Sequence, residues 1–233
     1  MSENNILTDI LNDTEIQPNS NLAEHHRKFF ETGIGEYGEG DKFIGFSVPQ
    51  VRNLEKKYRD RINFDNINLL LHNEIHEFRL LALIYLTNLF GKNINLRDKI
   101  VKIYLKNTSY INNWDLVDLS CYKIIGRYCF DLDNYDIIFK LSRSNNLWEE
   151  RISIVSTMYP IWNGKFDLTL ELCEYFLNHK HHLIHKACGW VLREVGKKDE
   201  EVLLDFIKNY SNRMPKIMLS YASERIKMKS VKR

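Results

Sequence analysis

Three features of this 233-residue chain predict an all-α fold made of repeated helix pairs. Apolar residues recur at helical spacing over most of its length, and the period-two alternation of strands is absent. Only 4 Pro and 10 Gly interrupt the chain, which favours long helices over a many-turned β fold. A cation near the start of a helix also recurs at a regular interval. Arg79, Arg151, Lys186 and Lys216 mark a step of roughly 36 residues, doubled between the first two and shorter at the last. Such a period, with two helices per unit, is that of HEAT-like α-α superhelices. The expectation is one repeat domain over residues 1–233, a curved solenoid with its cations gathered on a basic concave face.

Taken in order, residues 1–20 are polar apart from Ile6, Leu7, Ile10 and Leu11, which read as a small, loosely attached helix ending before Pro18. Leu22 to Phe30 continues with a helical pattern. The glycine-rich stretch 33–48 contains a literal GxGxxG at Gly33, Gly35 and Gly38, but a dinucleotide site needs a strand before it and a helix opening within it. Here a helix precedes it, a loop follows, and Glu36 and Glu39 would repel a pyrophosphate. It reads as a flexible loop, and no nucleotide cofactor is expected. Pro49 suits the first turn of a helix reaching about Tyr58, since its missing N–H costs nothing there. Helical spacing then marks 66–72, 75–90, 95–107, 112–130, 134–142, 147–160, 167–178, 182–196, 199–210 and 215–228. A basic tail, 227–233, ends the chain.

Hydrophobic residues make up 44% of the chain and its net charge is +2. The distribution of charge says more than the sum: residues 180–233 hold 13 Lys/Arg against 6 Asp/Glu, so the rest of the chain is net acidic. A basic C-terminal third suits a polyanionic partner, and equally a solvated surface with a basic tail. Cys121, Cys129, Cys173 and Cys188 show no CxxC pairing and lie in apolar helical contexts, which predicts buried free thiols in a reducing compartment. No signal peptide and no membrane span are expected, so the protein is expected to be cytoplasmic.

The stretch Asn112-Asn113-Trp114-Asp115-Leu116-Val117-Asp118 breaks the charge pattern of the repeat. Residue 115, midway between Arg79 and Arg151, is an acid. With Asn112 as N-cap, Asp115 falls at N3 and is expected to reach back as in a capping box. Asp118 lies one turn deeper, on the face it shares with Trp114. Taken alone, an indole and a carboxylate on one helical face are also what a plain surface carries. Gly189-Trp190-Val191-Leu192-Arg193-Glu194 is a second such feature. Gly189 inside a helix costs about 1 kcal/mol relative to Ala, which points to a close backbone approach; Trp190 beside Arg193 also fits a core tryptophan with an ion-paired rim. Trp148 and Trp162 read as packing. His179, His181, His182 and His185 form a cluster, and His181 and His185 share a face at i,i+4 as zinc ligands can. No nearby Cys or carboxylate completes an obvious set, and no metal is expected.

Four stretches together resemble the AlkD-like DNA alkylation repair family of HEAT-repeat DNA glycosylases: Phe43 to Arg52, Asn113 to Asp118, Asn146 to Arg151, and Lys186 to Glu194. They occur in family order and span most of residues 20–226. The resemblance implies a monomeric, cofactor-free enzyme that excises alkylated purines from duplex DNA, engaging the lesion from the backbone side without a base pocket. It implies that Asp118 is the catalytic aspartate, that Trp114 and Trp190 flank the sugar, and that Arg151 contacts the DNA backbone, with Arg52, Lys186 and Arg193 at similar positions. Gly33 to Gly40 departs from the family pattern. A non-catalytic HEAT-repeat DNA-binding paralogue and a helical protein-interaction scaffold are the alternatives.

Overall fold

A computed structural model describes residues 6–13 and 16–226. The expected basic tail, 227–233, lies outside them, as do the last two residues of the helix expected over 215–228. Among the described residues every regular element is helical, apart from an isolated parallel bridge between Lys42 and Ile75, so the all-α expectation holds. The chain divides into two compact units, Met1–Ser120 and Cys121–Arg233.

The first unit holds α1 (Ile6–Leu11), α2 (Ser20–Phe29), α3 (Val48–Tyr58), α4 (Phe64–Leu71), α5 (His76–Lys92), α6 (Arg97–Lys106) and all but the last residue of α7 (Trp114–Cys121). Its centre is α5, whose residues from His76 to Ile84 are all buried, the ionisable His76, Glu77 and Arg79 among them. α3, α4 and α6 pack on it. The helix starts follow local chemistry. Asn19 accepts from Leu22 N at 3.0 Å to open α2, the Gln50 side chain accepts the Ser47 N–H at 2.8 Å to open α3, and Asn63 accepts from Asn66 N at 2.9 Å to open α4.

The second unit holds α8 (Arg127–Asp131), α9 (Asp136–Ser142), α10 (Leu147–Ser156), α11 (Met158–Trp162), α12 (Asp167–Tyr175), α13 (His182–Lys198), α14 (Glu200–Tyr210) and α15 (Lys216–Ser223). α13 is the hub, packing on α10, α12, α14 and, most extensively, α15.

Two helices expected to be continuous are broken. The helix expected over 112–130 is interrupted by a π turn, Tyr122–Gly126, and that over 147–160 breaks at Thr157. The two breaks meet. Pro160 has no N–H to give the Ser156 carbonyl, and Gly126 closes on that oxygen so tightly that a Cβ there would lie 2.2 Å from it. All four cysteines are buried and unbridged, as expected. No helix among the described residues is long and apolar enough to cross a membrane.

Candidate functional site

One group of candidate site residues stands at the start of α7. Asn113, fully buried, turns its side-chain oxygen to the Trp114 N–H at 2.8 Å, and its carbonyl accepts from Val117 N at 3.1 Å. Asn113 therefore precedes the first turn and Asp115 is its second residue. Asp115 does not close a capping box, as the sequence had suggested: its Oδ2 is 2.8 Å from His76 Nε2. A long-range ionic partner outcompetes the local one.

That histidine heads a buried polar cluster. His76 Nδ1 lies 3.1 Å from Asp41 Oδ2, and Arg79 Nη2 donates to Asp41 Oδ1 at 2.6 Å. Arg79 also donates to the Asn73 and Glu74 carbonyls at 2.9 and 3.3 Å. Burial alone would lower the His76 pKa, but Asp115 and Asp41 on its two nitrogens win and raise it to about 9. Burial likewise pushes the Asp41 carboxyl up, and the His76 and Arg79 contacts overcome it and hold it below its ordinary value. At neutral pH the cluster sets two cations against two carboxylates, the arrangement in which buried charge is tolerated.

Trp114 is half-buried against rings from the α2 end. Phe29 meets it edge-on at 5.7 Å between centroids and Phe30 at 5.3 Å; Phe30 in turn stacks on Phe43 at 5.3 Å. Its indole Nε1 donates to the Tyr37 hydroxyl at 3.3 Å. Tyr37 belongs to the stretch expected to be a flexible loop. Instead the stretch is closed by its own bonds: Glu36 accepts from Gly33 N at 2.6 Å, Glu39 from Gly35 N at 2.9 Å, and Gly38 N donates to the Glu31 carbonyl at 3.0 Å. The glutamates that argued against a nucleotide are what fold it. Asp118, one turn along α7 from Trp114, is half-buried.

In the second unit, Lys186, Trp190 and Arg193 fall at i, i+4 and i+7 along α13, on one face, and all three are half-buried. Gly189 has the close approach its position in a helix implied, since a Cβ there would lie 2.5 Å from Tyr221 Cβ and 2.6 Å from the Met218 carbonyl of α15. Arg193 forms an ion pair with Glu224 and lies 3.9 Å from Glu194. Arg52 is exposed on α3.

Arg151 differs from the other cations. It is 5% exposed and donates to the Leu183 carbonyl at 2.6 Å, in the first turn of α13. Arg79 is 4% exposed and bonds carbonyls in the same manner. The two repeating arginines thus sit inside their units, so at these two positions the register does not present a cation at the surface, as had been expected. The histidines also have internal work: His181 Nδ1 caps α13 through Leu183 N at 3.2 Å, and His179 Nε2 is 3.0 Å from Glu150. No group of three His, Cys, Asp or Glu suited to a metal ion stands together among the described residues.

Tyr37, His76 and Asp41 were not anticipated from the sequence. Asp41 and His76 are distant along the chain from each other and from Asp115, and no local pattern marks them. The one available hint was Tyr37, a lone aromatic inside a glycine-rich acidic loop.

Residues 14–226 match the model of a family described as DNA alkylation repair enzyme. No curated protein matches. Among solved structures, a predicted DNA alkylation repair enzyme from Enterococcus faecalis is similar in fold, with a TM-score of 0.72 at 16% sequence identity, covering 91% of this chain and 98% of that one.

Proposed function

We propose, for a chain that belongs to the DNA alkylation repair enzyme family, that it is a DNA glycosylase releasing N3- and N7-alkylated purines from duplex DNA by hydrolysis of the N-glycosidic bond. One observation carries the reading. α7 bears an indole and a carboxylate one turn apart, Trp114 and Asp118, an arrangement that supports a catalytic role for Asp118, and Asp115 is bound to His76.

An alkylated purine of this kind is already cationic and leaves without a general acid, so the second carboxyl that a glycosidic oxygen requires is not needed. What remains is to stabilise a sugar that becomes oxocarbenium-like and to direct a water at C1′. An ionised Asp118 can do both, by charge and by hydrogen bonding. The indole faces of Trp114 and, by the resemblance, Trp190 favour a cationic sugar by about 0.5–2 kcal/mol each. Lys186, Arg193 and Arg52 are the proposed phosphate contacts, which fix register without reading sequence. Arg151, buried on Leu183, acts on the DNA by holding the first turn of α13. No base pocket enters this scheme, in contrast to enzymes that flip the base. The protein is proposed to act as a monomer.

The test is incubation with methylated duplex DNA and chromatography of the released bases. Free 3-methyladenine and 7-methylguanine are expected from the wild type. Asp118→Asn is expected to bind the same duplex and release almost none; undiminished release would remove Asp118 from the mechanism. Binding without release by the wild type would instead favour a non-catalytic paralogue.

A further inference from the structure

The Gly33–Gly40 loop is a motif in the sequence that the proposed function leaves unused. It is built with some cost. Gly38 sits where a Cβ would lie 2.3 Å from the Phe30 carbonyl, Gly35 and Gly40 both have positive φ, and two glutamate side chains are spent on its backbone N–H groups. The closure presses Tyr37 toward the start of α7, and its hydroxyl meets the indole N–H of Trp114.

We infer that Tyr37 is a positioning residue for Trp114, setting the orientation of the indole and the strength with which its face receives a cationic sugar. The inference rests on the proposed function, because it presumes that Trp114 receives such a sugar. Two effects act in the same direction. The indole is already bounded by Phe29 and Phe30 on the α2 side, and the hydrogen bond from Nε1 further restrains its rotation about the side-chain torsions. An oxygen accepting the indole N–H also draws that proton outward and leaves the π face more electron-rich, which strengthens its attraction for a cation. The loop, closed on itself by Glu36 and Glu39, keeps the hydroxyl in reach without help from the substrate. Tyr37 itself touches no reacting atom; it acts through Trp114.

The experiment compares affinity for two synthetic duplexes. One carries a pyrrolidine in place of the deoxyribose, a stable cation at neutral pH; the other carries a neutral tetrahydrofuran. The wild type is expected to prefer the pyrrolidine duplex. Tyr37→Phe keeps the ring and removes only the hydroxyl. It is expected to reduce the preference about threefold to tenfold while leaving the tetrahydrofuran affinity and the thermal midpoint unchanged. In a Trp114→Phe background the same change is expected to have no further effect, the coupling expected of two residues in one contact. A wild type with no preference would overturn the proposed function and this inference with it. A wild-type preference that Tyr37→Phe retains in full would overturn this inference alone. Equal weakening on both duplexes would show Tyr37 to be merely structural, and would overturn it as well.

Discussion

Replacing His76 by Gln removes the proton-binding group from the centre of the buried cluster, and the consequence is a change in how stability depends on pH. The folded pKa of about 9 stands above the ordinary 6.5 because Asp115 and Asp41 hold the cation against the cost of burial. At about 1.4 kcal/mol per pKa unit, the difference is worth about 3 kcal/mol. His76 is 2% exposed, so solvent screening does little to reduce it. A group whose folded pKa is raised contributes stability that is fully present below its unfolded pKa and lost as pH rises through the folded one. The wild type should therefore lose about 3 kcal/mol from this residue between about pH 6.5 and pH 9.5, and His76→Gln should lose none of it. The assay is urea unfolding at pH 6 and pH 9.5 on both proteins. Burial pushes the Cys129 thiol up to about 12 and the Cys173 thiol up as well, so these groups weaken both proteins at high pH when the unfolded chain ionises. The quantity read is therefore the difference between the two slopes, in which the thiols cancel. Equal slopes would refute a protonated His76 in the folded protein.

Gly189→Ala is expected to cost about 1–3 kcal/mol, since its Cβ would meet Tyr221 and the Met218 carbonyl and α15 would have to move; an unchanged thermal midpoint would contradict that packing. Arg193→Ala and Lys186→Ala should each lower the salt slope of duplex binding by about one, and equally for unrelated sequences, as measured by fluorescence anisotropy across a salt series. Arg151→Ala should instead act first on stability, by about 1–3 kcal/mol, because the Leu183 carbonyl loses its donor; full stability with weakened binding would return Arg151 to direct contact with DNA.

Much of the helical framework was legible because it is local. The apolar spacing of α5 and α13 and Pro49 in the first turn of α3 are read within one or two turns. The breaks were not legible for the opposite reason. Nothing near Tyr122 announces a π turn, which ends at Gly126 beside the Ser156 carbonyl, far along the chain and left without a helical donor by Pro160. The candidate site divides the same way. Trp114 and Asp118 are visible as an i,i+4 pair. His76, Asp41 and Tyr37, which contact the start of that pair's helix and its indole, are brought in by tertiary folding from distant parts of the chain. Asp115 illustrates the competition directly: its local spacing fits a cap, and an ionic partner across the unit takes it.

The repeat of cations carries a different lesson about where charge works in this chain. A regular interval of Arg79, Arg151 and Lys186 invites the reading of a basic surface, yet the two arginines are the least exposed of the set and each satisfies backbone carbonyls. A planar fork with several donors is suited to that task, because one guanidinium can fill two carbonyls and a carboxylate at once, as Arg79 does with Asn73, Glu74 and Asp41. At these two positions the period therefore records a requirement of the helix joints. An acid at position 115 then disrupts nothing so long as a cation arrives to meet it, and His76 is that cation. The break in the charge pattern is thus explained by burial and charge balance at Asp115, and it carries no weight for catalysis. The case for chemistry rests on Asp118 and Trp114, which lie outside the cation's register.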